Sequence, residues 1–398
     1  MKLADLNTCT GCGACLNACS KGAIKFKKDK EGFPTPYILP EKCVECGLCG
    51  AVCPAMNMPE TYDIKDAYAA QLVDKEGLQR STSGGVFSAF SKEIFRRDGI
   101  VYGCVWDKNY NAVITKAENE DELEPMHGSK YVWSWAGDTF PEIKRYLENG
   151  RTVLFSGLPC QAAGLRNYLG RDYDRLYILT FFCGGVPSPL ALHSYLKTIR
   201  GNLPLSRLDL KFRDKSKDGA GIRVAYNKKN NKRVYESYVG NSYYYSFSKK
   251  ICLRLSCYHC QYRYKDRVED ITMGDYWGIE KYHSEFDIRA GVSAVLINTD
   301  KGRELFDAVS KDLKVSPTDV HNIAKGNNLT VDDRTVEFRI PGYRDDFFRT
   351  IKEKDWSEAD KKYLMDKERI RLLMKERMIR CLSPVIPGPL KRALKKII

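Results

Sequence analysis

Two cysteine runs of identical spacing stand within the first 54 residues and constrain this chain more than any other feature. One carries Cys9, Cys12, Cys15 and Cys19; the other carries Cys43, Cys46, Cys49 and Cys53, with Pro54 behind it. Both read C-x2-C-x2-C-x3-C. Three closely spaced thiolates wrap three irons of one 4Fe-4S cubane, and in a two-cluster arrangement the fourth ligates the other cluster. The repeat therefore predicts Cys9, Cys12, Cys15 and Cys53 around one cluster, and Cys43, Cys46, Cys49 and Cys19 around the second. The fourth cysteine of each run is expected to open a helix. Gly11, Gly13 and Gly47 are expected to bring backbone close to sulfur and donate N–H bonds to it. Zinc also takes C-x2-C pairs, but two copies of one four-cysteine run favour iron. Ser20 follows the first run where the pattern has proline. Proline there is a turn device and not a ligand, so the ligand assignment stands.

The chain has 15 cysteines in 398 residues. Their clustering, with no apolar leader in residues 1–10, points to metal in a reducing cytoplasm and away from disulfides. No apolar run approaches the roughly 18 residues a membrane span needs. A hydrophobic share of 43% with 29% charged residues excludes a disordered chain and supports a sizeable core. The net charge of +14 suits acidic partners: an acidic electron carrier, phosphorylated substrates, nucleic acid or an anionic membrane face. A solvated basic surface accounts for it equally well. About half of that charge falls in residues 341–398. The end of this tail, Pro384 to Ile398, alternates basic and apolar residues, which suits peripheral membrane contact; a frayed solvated tail is the simpler reading.

Beyond the cysteine runs the expected class is α/β. Residues 1–59 form a small bacterial-type dicluster ferredoxin domain, residues 60–340 a larger α/β domain with a β-rich basic insertion, and residues 341–398 a helical basic region. Residues 66–73 read as a strand, Val86 to Phe95 as a helix stopped at Asp98-Gly99, and Ile100 to Trp106 as the next strand, which together predict a βαβ unit with a parallel pair. Arg151 to Phe155 and Leu176 to Phe182 are further strands, with a short helix from Gln161 to Leu169. Ser188 is expected to cap a helix running to about Arg200. Residues 207–247 read as an antiparallel meander, with turn signals at Asp218-Gly219 and Asn230-Asn231. Ala290 to Asn298 is another buried strand.

Several constellations carry chemistry. Cys160 stands at a strand-to-helix turn, Cys183 at the next strand's end, and Cys257 with Cys260 in a C-x2-C. Strand ends of one parallel sheet lie side by side, so these four can converge; on spacing alone iron–sulfur, zinc and unrelated cysteines stay open. Cys104, Cys252 and Cys381 are spares. Ser81-Thr82-Ser83-Gly84-Gly85 opens a helix, which makes either an anion site or an ordinary N-cap. No G-x-G-x-x-G after a strand and no Walker loop is present. Lys130 is a candidate phosphate partner, and Asp275 sits between turn-permissive glycines; a surface lysine and a turn aspartate are the alternatives. The cations from Arg207 to Arg233, interleaved with Phe212 and Tyr226 and followed by Tyr243 to Tyr245, admit nucleic-acid binding, a sugar-phosphate groove, or a solvated face.

Seven short stretches, in order, resemble the family of coenzyme F420 hydrogenase and dehydrogenase beta subunits. They are Ser81–Gly85, Ser129–Tyr131, Gly157–Gln161, Phe182–Gly185, Phe212–Asp214, Leu255–Cys260 and Asp270–Gly278. The front looks like the version of this family with a fused ferredoxin. The resemblance implies FAD, with Ser81, Thr82, Ser83, Gly84, Gly85, Lys130 and Asp275 at the flavin, and a third 4Fe-4S cluster held by Cys160, Cys183, Cys257 and Cys260. Chlorophyll-derivative reductases look similar, so the deazaflavin coenzyme is not implied. Relatives with fused ferredoxins resemble proteins of polysaccharide biosynthesis, which suggests a phosphorylated sugar as one substrate.

The expected function is a relay. A low-potential donor such as an acidic ferredoxin feeds one-electron clusters, which load FAD for two-electron transfer to a small molecule. The rival class is a non-catalytic electron-transfer component serving a partner enzyme. Nucleic-acid binding with structural clusters ranks behind both. No residue in the sequence identifies a catalytic acid, base or nucleophile.

Overall fold

The computed structural model describes residues 3–217, 219–228, 230–331 and 336–382. The lipid-contact reading of Pro384 to Ile398 and the Asp218 turn signal lie outside these residues. Among the described residues no helix is long and apolar enough to cross a membrane.

Each front cysteine run is a loop leading into one short helix, Ala14–Ala18 and Leu48–Ala51. Their N-caps, Gly13 and Gly47, stand at φ 89° and 81°, a left-handed geometry that glycine adopts without a Cβ clash. Cys15 and Cys49 lie inside the helices, while Cys19 and Cys53 lie just past their ends. The fourth cysteine thus closes its helix and does not open it. Between the runs, β1 (Ile24–Lys28) and β2 (Pro34–Ile38) form an antiparallel hairpin.

The body is built on a nine-stranded mixed sheet. Its strands, in chain order, are β3 (Asp66–Leu72), β4 (Ile100–Trp106), β5 (Ala112–Ala117), β6 (Ser134–Trp135), β7 (Val153–Ser156) and β8 (Leu176–Phe181). A separate three-stranded antiparallel sheet follows, of β9 (Lys211–Phe212), β10 (Arg223–Asn227) and β11 (Arg233–Ser237). The large sheet then resumes with β12 (Ile271–Asp275), β13 (Ser293–Ile297) and β14 (Leu313–Pro317). Its spatial order is β14-β3-β13-β12-β8-β7-β4-β5-β6. The central four, β12, β8, β7 and β4, are mutually parallel. Ser293 to Ile297 are buried throughout, as a strand covered on both faces requires. The fold is α/β with mixed pairing.

The expected parallel pair of β3 and β4 does not form. Both of β3's neighbours, β13 and β14, are antiparallel to it, and four strands separate it from β4. A βαβ pattern fixes a crossover but not how many strands are later inserted into it. The 207–247 meander is also only partly realised: Ser242–Ser248 is a helix, capped by Asn241, whose side chain accepts from Tyr244 N.

Helices Val86–Arg96 and Asp300–Val309 cover one face of the sheet through Phe90, Ile94, Leu305 and Phe306. Helices Thr139–Glu148 and Pro159–Leu169 cover the other, and their core takes in Cys12 and Ala14 of the front module. Gly164 makes this approach feasible, since a Cβ there would stand 2.9 Å from Cys12 Sγ. A third core gathers Tyr195, Phe212, Tyr226, Tyr243, Tyr244 and Trp356, together with Phe347 of helix Arg344–Glu353. The aromatics that would serve base stacking are therefore core residues.

Candidate cluster sites and cofactor cavity

None of the front-run cysteines is disulfide-bonded, and the thiols around the buried ones fall into two groups. Burial pushes Cys12 up to about 12, with Cys9 and Cys53 acting in the same direction. Cys15 is raised by burial and then by Cys12, Cys9 and Cys53. Cys49 is raised by burial, and the neighbours that add to it are Cys19 and Cys43. Cys53 from the second run thus faces the first group, and Cys19 from the first run faces the second. Cys46 is exposed. Crowded thiols that resist ionisation fit a cationic iron core, because metal binding releases their protons and offsets the repulsion. Among the described residues no three His, Cys, Asp or Glu side chains converge on one point as a single ion requires; in a cubane each thiolate takes its own iron. Backbone amides reach sulfur from Ala23 to Cys19 at 3.3 Å and from Val186 to Cys257 at 3.5 Å.

A further quartet forms in the body. Burial raises Cys160 well above the ordinary thiol range, and Cys183, Cys260, Cys12 and Cys257 add to it in that order. Cys183 is pushed up to about 12 by burial, with Cys257 and Cys260 beside it. The strand-to-helix turn after β7 supplies Cys160, the exit of β8 supplies Cys183, and two short 3-10 turns supply Cys257 and Cys260. Cys12 is the front thiol that adjoins this quartet.

Sequence reading missed what holds the two parts together. Arg254, 3% exposed, donates from Nε to Cys9 O at 2.7 Å and from Nη2 to Pro34 O at 3.0 Å, with Cys9 Sγ at 3.6 Å. Trp133 Nε1 donates to Thr10 O at 3.3 Å. Glu31, in the hairpin turn, receives both Nη atoms of Arg344, the second at 2.6 Å, and both side chains are buried. Lys250 lies close to Cys183 and stacks on Phe247 and Phe338 at 4.7 and 4.4 Å; burial pushes it down to about 8, against the attraction of Cys183.

A cavity of about 420 Å³ opens beyond the C-terminal ends of β4, β7, β8 and β12, where parallel sheets bind ligands. Cys183 and Gly184 line it, so the quartet adjoins it directly. Ser81, Thr82, Ser83, Gly85, Lys130 and Asp275 line it too, and Gly84 lies in the same loop. Gly84 N donates to Ser293 Oγ at 2.9 Å, and a Cβ on Gly84 would stand 2.5 Å from Ser293 N. That close approach pins the loop to β13 and presents the first turn of helix Val86–Arg96 to the cavity.

Two residues behave differently from their expected roles. Lys130 Nζ donates to the carbonyls of Pro125, Met126 and His127 at 2.9, 3.0 and 2.9 Å. All three of its protons are used, so it fixes a turn and offers none to a phosphate. Asp275 ends β12 instead of lying in a turn, and both its oxygens hold Arg213, at 2.6 and 2.8 Å. Lys215 likewise donates to three carbonyls, of Leu78, Ser83 and Ala290. The volume falls in the range of small-molecule sites, and Phe87, Met126, Phe182 and Trp277 supply apolar faces. These walls fit a flat ring system. Since the neighbouring cations are already paired, a flavin's phosphates would rest on backbone amides of the Ser81–Gly85 loop and the helix behind it.

A duplicated cubane run docked on an α/β body with a further thiol quartet defines an iron–sulfur protein of oxidoreductase type. Comparison with known proteins identifies two domains in it. Residues 150–321 match the model for the carboxy-terminal part of the coenzyme F420 hydrogenase/dehydrogenase beta subunit, and residues 8–57 match the 4Fe-4S dicluster domain. The chain thus carries a domain of the F420 hydrogenase/dehydrogenase beta-subunit carboxy-terminal family and, in front of it, a 4Fe-4S dicluster domain. It is 26% identical over 172 residues to the F subunit of F(420)H(2) dehydrogenase from Methanosarcina mazei, covering 40% of this chain and 48% of that protein. It is 28% identical over 207 residues to the coenzyme F420-dependent sulfite reductase of Methanocaldococcus jannaschii, covering 49% and 30%. The chain thus spans less than half the length of these curated relatives. A chain of the F420-reducing [NiFe] hydrogenase complex from Methanosarcina barkeri aligns with TM-score 0.41 and 16% identity, over 65% of this chain and 85% of that one.

Proposed function

We propose that this protein is an iron–sulfur flavoprotein oxidoreductase. Electrons enter singly from a low-potential donor such as ferredoxin at the cluster of Cys43, Cys46, Cys49 and Cys19. They pass through the cluster of Cys9, Cys12, Cys15 and Cys53 and the cluster of Cys160, Cys183, Cys257 and Cys260 to FAD in the cavity. Bound FAD supplies the one-to-two-electron conversion that clusters lack. The chain's own residues set the order of transfer, shield the route from water and hold a small-molecule acceptor near the cavity mouth. The observation that carries this reading is the adjacency of Cys12 to Cys160 and of Cys183 to the cavity.

A second reading is favoured by the relative named as part of a dehydrogenase: the chain passes electrons to a partner that does the chemistry. Anaerobic purification with iron, sulfide and flavin analysis tests the first reading. About twelve irons, from three cubanes, with one FAD per chain is the expected result. About eight irons without flavin would leave only the front module's role. Flavin reduction without turnover of any acceptor would support the second reading.

A further inference from the structure

We propose that Ser88, His127 and Glu124 form a proton-delivery line into the cavity, supplying the proton that must accompany two-electron reduction there. This inference rests on the reading of the cavity as a redox site.

The three side chains run in single file from water to the cavity. His127 Nδ1 lies 3.1 Å from Glu124 Oε2, and Nε2 lies 3.0 Å from Ser88 Oγ. Glu124's side chain is 57% exposed. Ser88 is buried and, with His127, lines the cavity. Serine, histidine and a carboxylate in this order form the hydrogen-bonded arrangement that moves protons in other folds, where the carboxylate orients the imidazole and stabilises its cation. The geometry is firmly held. His127 caps the 3-10 turn Glu124–Met126, and Lys130 ties down the carbonyls of Pro125, Met126 and His127. Phe87 packs edge-on against the imidazole, with ring centres 6.5 Å apart.

Five other ionisable groups that line the cavity are committed elsewhere or poorly matched to the task. Asp275 is locked to Arg213, and Lys130 has no free proton. Burial raises Cys104 to about 11, burial holds Tyr244 far above neutrality, and Cys183 belongs to the thiol quartet. Histidine is the side chain whose ordinary range lies near physiological pH. Burial lowers His127 below that range, Glu124 opposes the shift, and the charges of Arg80 and Lys130 add to it.

The balance is simple. The acceptor gains two electrons, one at a time, from the external reductant through the clusters, together with one proton. The proton on Nε2 of protonated His127 passes to Ser88 Oγ as that hydroxyl releases its own proton into the cavity. His127 is left neutral with its proton on Nδ1; tautomer exchange moves that proton to Nε2, and Nδ1 then takes a new one from water on the Glu124 side.

Two readouts on the full anaerobic chain test the line. The first follows bleaching of cavity-bound FAD, separately from the cluster bands, after mixing with dithionite across pH. H127Q should slow the flavin phase by ~10²-fold and remove its pH break, while cluster reduction keeps its rate. E124Q should move the break to lower pH, because the carboxylate that favours the cation is gone, and S88A should slow the phase without moving the break. H127Q with the parent's rate and pH profile overturns the proposal. The second readout is the 15N titration of His127, assigned by its loss in H127Q, which needs no flavin. A ring that titrates below the ordinary histidine range and shifts further down in E124Q supports the line. A ring that does not titrate between about pH 4 and 8, or that ignores E124Q, sinks it. A chain without flavin but with this titration refutes the proposed function while leaving the hydrogen-bonded line in place.

Discussion

Arg254 and Cys9 are 245 residues apart in the chain, yet the guanidinium donates to the Cys9 carbonyl at 2.7 Å in a buried setting. One side chain therefore joins the loop that carries the first thiol to the segment that carries Cys257 and Cys260. Its Nη1 has no hydrogen-bond partner among the described residues. Removing Arg254 leaves the carbonyls of Cys9 and Pro34 buried and unpaired, at a cost of ~1–3 kcal/mol for each such group. Arg254→Met should lower the melting temperature and release iron first from the front module. Thermal melts and iron counts check it, and an unchanged iron content would contradict the docking role.

The pair Glu31–Arg344 makes a second tie, from the hairpin turn to the helix Arg344–Glu353. Breaking one partner of a buried pair leaves the other charge uncompensated, which costs ~3–5 kcal/mol. Glu31→Ala should destabilise strongly, and the double variant E31L/R344M should recover most of the loss. Denaturant midpoints decide this; a double variant no better than the single one refutes the pairing argument.

The local features were legible in the sequence and the long-range ones were not. Ligand spacing is local to each run, so the expected grouping of the thiols can be read from the runs themselves. The strand ends that bring Cys160 and Cys183 together follow from α/β patterning. Nothing near β3 announces that β13 will pair beside it, because strand order is decided by segments more than 200 residues away. Tyr243 to Tyr245 have the composition of a strand, but the Asn241 cap and packing against Trp356 make a helix. Ser88 and His127 are 39 residues apart, and no motif links them. Lys130 and Asp275 can be picked out by position, while their partners, three carbonyls and Arg213, lie outside any sequence pattern.

The Ser81–Gly85 loop offers a steric test. Gly84→Ala would drive a methyl group into Ser293 N and the Ala70 carbonyl, an overpacking cost of ~1–3 kcal/mol. Flavin stoichiometry should fall together with stability. Gly150→Ala, at a left-handed φ of 72° but with nothing within 4 Å of the added methyl, should lose only ~1–2 kcal/mol and keep the flavin. Equal flavin content in both variants would count against the loop as part of the site.

Two histidines give a pH dependence. Burial lowers His127 and His193 below the ordinary range, with Lys28 adding to the effect at His193. A depressed histidine means that the unfolded chain binds more protons, so stability is complete above about pH 6.5 and declines as pH falls through the folded values. Melting temperature should drop from pH 7 to pH 5.5, and His193→Gln should flatten that slope. A slope unchanged in the variant contradicts the assignment.

The central claim is that three iron–sulfur sites stand in line and end at the cavity. Anaerobic reduction followed by electron paramagnetic resonance of the parent chain and of Cys183→Ser tests it most directly. The account predicts about three cluster spins per chain in the parent, with magnetic interaction between neighbours. In the variant it predicts about two, with cavity flavin that no longer accepts electrons through the clusters. A variant with the parent's spin count and flavin reduction would contradict it.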